Sequence, residues 1–213
     1  MDKNKFEIIR LRMERTAEAL RRNNFYCECA DCAEEVQDII SELIEPGDTV
    51  AVGGSMTLFE TGIIDMLRNG DYNFLDRYEQ GLTPEQTREV FINSFSADIY
   101  LTSTNAITEK GELYNIDGTG NRVAAMIYGP KSVIVVAGYN KIVKDIDAAK
   151  LRLEETAAPA NAVRLNMGTP CTQTGKCCNC HSDNKICADT VIMGRQRIKD
   201  RVKIILVGEE LGY

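Results

Sequence analysis

The sequence predicts an α/β fold with a largely parallel central sheet. Short apolar segments with the composition of β-strands alternate along the chain with amphipathic helical segments, which is the pattern of a sheet covered by helices. The most apolar of the strands, at 132–138, reads SVIVVAG. With 213 residues, of which 44% are hydrophobic and 27% charged, the chain can form a core without disulfides.

The helices are predicted from apolar residues three or four positions apart and from the residues that begin and end each helix. In the first helix this stripe runs from Phe6 to Leu20, and Asn23 ends it. Thr83 followed by Pro84 starts another helix, because proline is favoured in the first turn. In chain order, the predicted helices cover residues 3–23, 31–43, 57–67, the segment that begins at 83, 122–129 and 145–156.

The strands are predicted from short apolar runs bounded by turn residues. They cover residues 25–29, 49–52, 72–78, 98–103, 132–138 and 202–208. Residues 105–121, here called the asparagine loop, are predicted to be irregular because Asn, Gly, Thr and Asp dominate them. Residues 166–190, the cysteine segment, are predicted to be a loop inserted in the fold. We expect a single domain over 1–213, with a helical N-terminal region at 1–45.

Charge and composition exclude several classes of protein. The chain carries 25 basic and 32 acidic residues, a net charge of −7, and has no block of Lys or Arg, so nucleic acid is not expected as a partner. No apolar run approaches the ~18 residues that span a bilayer, and the charged N-terminus lacks a signal-peptide core, so a cytoplasmic location is expected. The single histidine, His181, excludes metal sites that need two histidines.

Residues 53–57, the glycine loop, lie between a predicted strand and a predicted helix. In α/β folds this position binds anions, because glycines let the backbone approach a ligand while N–H groups and hydroxyls donate to it. The candidate ligand-binding residues here are Gly53, Gly54, Ser55 and Thr57. The alternative is a tight turn in which Ser55 or Thr57 serves as a helix N-cap.

Polar residues also follow the next strands of the predicted sheet. Because the carboxyl ends of parallel strands form the ligand crevice, we expect these residues to share a site with the glycine loop. The candidates are Asn105, Asn115, Asp117, Gly118, Gly120, Asn121 and Arg122, with Asn140 and Lys141 on the rim. Glu109 is expected to gather at the same pocket. The alternative is that Asn and Asp only shape turns and cap helices.

The cysteine segment has the composition of a metal site or a redox site. Five of the eight cysteines fall within it, and Cys177 and Cys180 form a CxxC pair that can close on one metal. Cys171 and Cys187 can complete a set of four thiolates, which suits zinc or an iron–sulfur cluster. The alternative is a group of thiols without metal, reduced or partly disulfide-bonded.

Three stretches together resemble the lactate-utilisation (LUD) domain family. They read VAVGGSMTLFETGIIDML, TSTNAITEKGELYNIDGTGNRVAAMIYGPKSVIVVAGYNKIV and KIILVGEELGY. The resemblance implies a Rossmann-like, three-layer fold similar to that of sugar-phosphate isomerases and CoA transferases. In those relatives a Gly/Ser/Thr loop cradles phosphate or a CoA-linked substrate, which implies a binding role for the glycine loop. It also favours Cys171, Cys177, Cys180 and Cys187 as the metal set, with Cys178 and His181 as spares.

The resemblance implies a protein of organic-acid (lactate or pyruvate) utilisation that binds a small anionic or phosphorylated ligand at the strand ends. It would be a subunit of a lactate-oxidising system, beside iron–sulfur or flavin-type partner proteins, or an enzyme with CoA-transferase-like or isomerase-like activity. Glu60, Glu109 and Asp117 are the catalytic candidates, because CoA transfer needs a carboxylate nucleophile. The alternative is a non-catalytic scaffold or electron-transfer subunit that engages a redox partner through the cysteines. The apolar stripe of the first helix is expected to lie in the core or in a subunit interface. The second alternative would make the protein a homo-oligomer.

Overall fold

A six-stranded parallel sheet forms the centre of the computed structural model, which describes residues 2–213. The strands of the chain are β1 (Tyr26–Ala30), β2 (Thr49–Val52), β3 (Asn73–Leu75), β4 (Ile99–Thr102), β5 (Ala106–Thr108), β6 (Leu113–Asp117), β7 (Ser132–Gly138), β8 (Ile142–Val143), β9 (Asp189–Met193) and β10 (Val202–Val207). The central sheet has the order β1-β10-β7-β4-β2-β3, and each neighbouring pair is parallel. The predicted parallel sheet is thus confirmed.

Helices cover both faces of this sheet. They are α1 (Lys3–Arg22), α2 (Glu35–Leu43), α3 (Met56–Glu60), α4 (Ile63–Asn69), α5 (Pro84–Asn93), α6 (Asn121–Ile127), α7 (Ile146–Arg152), α8 (Ala158–Arg164) and α9 (Cys171–Thr174). A π-helical turn, Leu153–Ala157, joins α7 to α8. Within residues 2–213 no helix combines the length and the apolar composition that crossing a membrane requires.

The two faces of the sheet are buried in separate hydrophobic clusters. In β10, Ile204 and Leu206 pack with α1 and α6 on one face, whereas Ile205 and Val207 pack with α2, α3 and α4 on the other. This alternation follows from the two-residue period of a strand. Because both faces are covered, the central strands are apolar throughout, and the three-layer α/β architecture is confirmed.

A second, smaller sheet packs beside the first in the order β8-β5-β6-β9. β6 pairs antiparallel with β5 and with β9, so it joins the asparagine loop to the end of the cysteine segment. The prediction of an irregular loop over 105–121 was therefore wrong. Within this stretch β5 and β6 pair with each other, and β8 and β9 pair with them from later parts of the chain.

Other element boundaries also differ from the predictions. The helix predicted at 57–67 is two helices, α3 and α4, because Gly62 adopts a left-handed conformation with φ 70° between them. The helix predicted at 145–156 continues through the π-helical turn and α8 to Arg164. The cysteine segment, predicted to be a loop, contains the short helix α9 and the start of β9.

Candidate functional site

A cavity of about 270 Å³ lies at the carboxyl ends of the strands of the central sheet. The residues that follow β2, β4, β7 and β10 reach it, together with the end of β6. In a parallel sheet all carboxyl ends meet at one edge, so segments distant in sequence converge there. The residues that line this cavity, and those directly behind them, form the candidate site.

The glycine loop forms one wall of the cavity. A Cβ on Gly53 would lie 2.6 Å from Thr102 Oγ1, so only glycine allows the loop to pack this closely on β4. Gly54 lines the cavity, and a Cβ on it would lie 3.6 Å from the Arg77 guanidinium. Ser55 is the N-cap of α3, because its hydroxyl accepts a hydrogen bond from the N–H of Leu58 at 3.4 Å.

Arg122 organises the loops around it. Its Nε pairs with Asp117 Oδ2 at 3.2 Å, and its terminal nitrogens donate to the side-chain oxygens of Asn105 and Asn115. The backbone carbonyls of Ser103 and Ile116 and the sulfur of Met126 accept its remaining hydrogen bonds. The guanidinium is buried, which lowers its pKa, and the charge of Asp117 opposes that effect. The polar groups of the asparagine loop are thus used largely in holding one another in place.

Lys141 is the most unusual charged group of the site. It is only 2% exposed, and its Nζ donates to the hydroxyls of Thr57, at 3.0 Å, and Ser103, at 2.9 Å. Within residues 2–213 no carboxylate forms an ion pair with it. Burial lowers the pKa of Lys141 to about 7, and the charges of Arg152 and Arg122 contribute in the same direction. The charge of Glu60 opposes this shift, but Glu60 does not pair with the amine. A buried amine without an ion-pair partner is suited to an anionic ligand.

The lining of the cavity is positively charged, although the whole chain has a net charge of −7. Arg77, Arg122, Lys141 and Arg164 line it, and Asp117 has the only carboxylate side chain among the described lining residues. Arg77 stacks on the ring of Phe91, with 4.5 Å between its Cζ and the ring centroid. These charges create a local field that attracts anions.

Nine of the thirteen predicted ligand-binding residues line the cavity: Gly54, Ser55, Thr57, Asn105, Asp117, Gly118, Asn121, Arg122 and Lys141. The other four lie outside the lining. Gly53 and Asn115 pack against Arg122, and Gly120 is the N-cap residue of α6. Asn140 donates to the carbonyl of Gly212 at 3.2 Å and so fastens the C-terminal segment.

Only one of the three catalytic candidates, Asp117, lines the cavity, and both of its oxygens are engaged. Oδ1 accepts from the backbone N–H of Gly120 at 2.9 Å, and Oδ2 pairs with Arg122. Glu60 accepts from the backbone N–H of Gly212 at 2.6 Å. The expectation that Glu109 gathers at this pocket was wrong: it follows β5 and pairs with Arg12 of α1 at 2.7 Å, outside the cavity.

The cysteine segment lies next to the cavity. All its cysteines are free thiols, and no group of His, Cys, Asp or Glu side chains within residues 2–213 is arranged to hold a metal ion. The predicted four-cysteine site is therefore not preformed. Burial raises the pKa of Cys187, and the charges of Cys177, Cys180 and Cys171 raise it further, so these three sulfurs lie within electrostatic range of Cys187.

Several lining residues escaped prediction from the sequence. Ser103 and Thr104 directly follow β4, and their position after a strand was an available signal. Arg164 of α8, Ile186 and Tyr213 gave no such signal, because helix packing and the path of the C-terminal segment bring them to the cavity.

A family model for the LUD domain matches residues 13–207. The chain belongs to the LUD domain family. This family is associated with lactate utilisation, which agrees with the resemblance found in the sequence. No curated protein sequence gives a significant match.

The fold of this LUD domain is similar to that of a solved DUF162 family protein from Deinococcus radiodurans. The match covers 93% of this chain and 98% of the other, with a TM-score of 0.53 and 14% sequence identity. Two subunits from Chaetomium thermophilum also match over part of their length with a TM-score of 0.37. One is eIF2B delta, at 19% sequence identity, where the match covers 55% of this chain and 50% of the other. The second is eIF2B beta, at 14% sequence identity, where the match covers 54% of this chain and 44% of the other.

Proposed function

We propose that this LUD domain binds a small anionic ligand, with a carboxylate or phosphate group, and acts in the utilisation of organic acids such as lactate and pyruvate. The observation that carries this proposal is the charge of the side chains that line the cavity: four are basic and one is acidic. The carboxylate is already paired with Arg122, so the remaining charges favour an anion.

Lys141 is the expected main partner of the ligand. An anion beside its Nζ would supply the ion-pair partner that the protein does not, and the ammonium form would then be favoured. Arg77 and Arg164 line the same cavity and are available for a second interaction with the anion. The volume of about 270 Å³ is close to the lower end of the range for ligand pockets, which suits a small metabolite or the charged end of a larger one.

Calorimetric titration and thermal-shift assays with lactate, pyruvate, CoA esters and sugar phosphates test the proposal. A ligand that binds only the native state stabilises it by about 2.7 kcal/mol at 100 times its Kd. Lys141→Met should lose most of this stabilisation. Lys144→Met is the matched control, because Lys144 is exposed and does not line the cavity. The proposal is refuted if none of these anions stabilises the protein, or if both variants bind like the wild type.

A further inference from the structure

A groove of about 630 Å³ runs along β9 and shares no lining residue with the candidate site. Among the described residues, β9 pairs with β6 on one side and with no strand on the other, so it is an edge strand. Val191, Ile192 and Met193 all line the groove, although successive side chains of a strand point to opposite faces. The groove therefore follows the edge of β9, whose unpaired N–H and C=O groups are a template for another strand.

Large apolar side chains lie exposed in this groove. Four of them, between 48% and 81% exposed, come from two parts of the chain: Ile127 and Tyr128 at the end of α6, Ile192 in β9 and Ile198 in the segment that follows β9. Exposed apolar groups that gather in one place mark a surface that binds another molecule.

The groove is also basic, although the whole chain has a net charge of −7. Lys131, Arg195, Arg197 and Arg201 line it, and none of the described lining residues has a carboxylate side chain. Asp98 pairs with Lys131, but the three arginines form no ion pair with a carboxylate of residues 2–213. A molecule that complements these charges carries carboxylates.

From the free edge, the apolar side chains and the charge together, we propose that the groove binds an extended acidic segment of a partner protein, which adds to β9 as a further strand. The main chain of this segment hydrogen-bonds to the edge of β9. Its apolar side chains cover Tyr128 and Ile192, and its carboxylates pair with Arg195 and Arg197.

Two other occupants fit these observations less well. A second copy of this chain, related by a two-fold axis, would bring two sets of basic side chains together, and they would repel one another. An anionic membrane surface would accept the apolar and basic side chains, but it offers no row of N–H and C=O groups to the edge of β9. Only an acidic extended chain satisfies all three features.

Fluorescein-labelled peptides, measured by anisotropy with the full chain, test the proposal. The acidic probe, EVEIEVE, alternates glutamate with apolar residues, and KVKIKVK is its charge-reversed counterpart. The acidic probe should bind about tenfold more tightly or better, and its affinity should fall as salt is raised. EVEIEVE with methyl groups on all its backbone nitrogens cannot donate to β9 and should bind about tenfold more weakly than the unmodified probe.

No binding of EVEIEVE overturns the proposal. Equal affinities for the acidic and the basic probe overturn the role of charge, and equal affinities for the acidic probe and its methylated form overturn strand addition. Either of these results also overturns the proposal.

Variants locate the binding on the protein. Arg197→Glu and Tyr128→Ser should each weaken the binding of EVEIEVE by about fivefold or more. Arg88→Glu and Ile8→Ser are the matched controls, because both side chains are exposed and neither lines the groove, so both should bind like the wild type. Wild-type binding by both groove variants, or equal losses in the controls, overturns the proposal. Circular dichroism checks that all four variants fold.

Two further measurements distinguish the occupants. Sedimentation equilibrium should give the same oligomeric state for the wild type and Tyr128→Ser; a dimer that this variant dissociates would assign the groove to a second copy and overturn the proposal. Cosedimentation with phosphatidylglycerol vesicles should not differ between the two proteins, and vesicle binding that Tyr128→Ser loses would overturn the proposal in favour of a lipid surface. None of these measurements involves the cavity ligand, so the groove and the proposed function are tested separately.

Discussion

Replacing Lys141 by methionine tests whether this buried amine is held without an ion-pair partner. Methionine keeps a flexible chain of similar length and removes the charge. The pKa of Lys141 falls from its ordinary 10.5 to about 7 in the folded protein. This shift means that keeping the amine protonated costs the folded state roughly 5 kcal/mol of stability. Because the folded-state pKa is depressed, this cost is full below pH 7 and disappears as the pH rises to 10.5.

The wild-type protein should therefore gain stability relative to Lys141→Met between pH 7 and 10.5, by at most about 1.4 kcal/mol per pH unit. Urea unfolding at a series of pH values measures this difference directly. Lys144→Met, which removes an exposed charge, should follow the wild-type curve. Parallel curves for wild type and Lys141→Met over this range would refute the depressed pKa.

Anion binding should also be coupled to proton uptake at Lys141. At pH 8 about nine tenths of the free protein carries the neutral amine, given a pKa of about 7. An anion favours the ammonium, so its binding should take up close to one proton. Calorimetry in buffers of different ionisation enthalpy counts this proton. Lys141→Met should take up none, and an anion that binds the wild type without proton uptake would show that Lys141 is not its partner.

Four further variants separate structural from binding roles. Arg122→Met should lower the free energy of unfolding by about 3–5 kcal/mol, because it leaves buried Asp117 without its partner. An unchanged urea midpoint would show that the contacts of Arg122 do not stabilise the fold. Gly53→Ala should cost about 1–3 kcal/mol through contact with Thr102, whereas Gly54→Val should unfold like the wild type but lose anion binding in calorimetry. Glu109→Gln should change the free energy of unfolding by less than about 1 kcal/mol, because the pair with Arg12 is partly exposed. It should leave anion affinity unchanged, and weaker anion binding would show that Glu109 belongs to the site.

The central sheet could be predicted because local sequence carries its signal. β7 and β10 are apolar on both faces, as a covered parallel strand requires, and the alternation with helices is visible without any tertiary contact. The edge of the sheet that holds the cavity followed from the same pattern, because polar residues come directly after β2, β4 and β7. Lys141 was found in this way.

The second sheet could not be predicted, because its strands are short and partly polar. Asn115 and Asp117 lie within β6, and their backbone is paired by β9 from a remote part of the chain. The same limit applies to Glu109. Its place in the asparagine loop suggested the cavity, whereas in the structure it pairs with Arg12 of α1.

By itself the sequence determined the parallel three-layer fold, the family and the strand ends at which polar residues gather. Tertiary structure decided which of those residues are free to meet a ligand. Arg122 and Lys141 are both basic residues near the ends of strands, yet five protein oxygens surround the first, whereas the second has two hydroxyls and no paired carboxylate. That difference depends on burial and on contacts between segments distant in sequence, which residue types and their spacing do not contain.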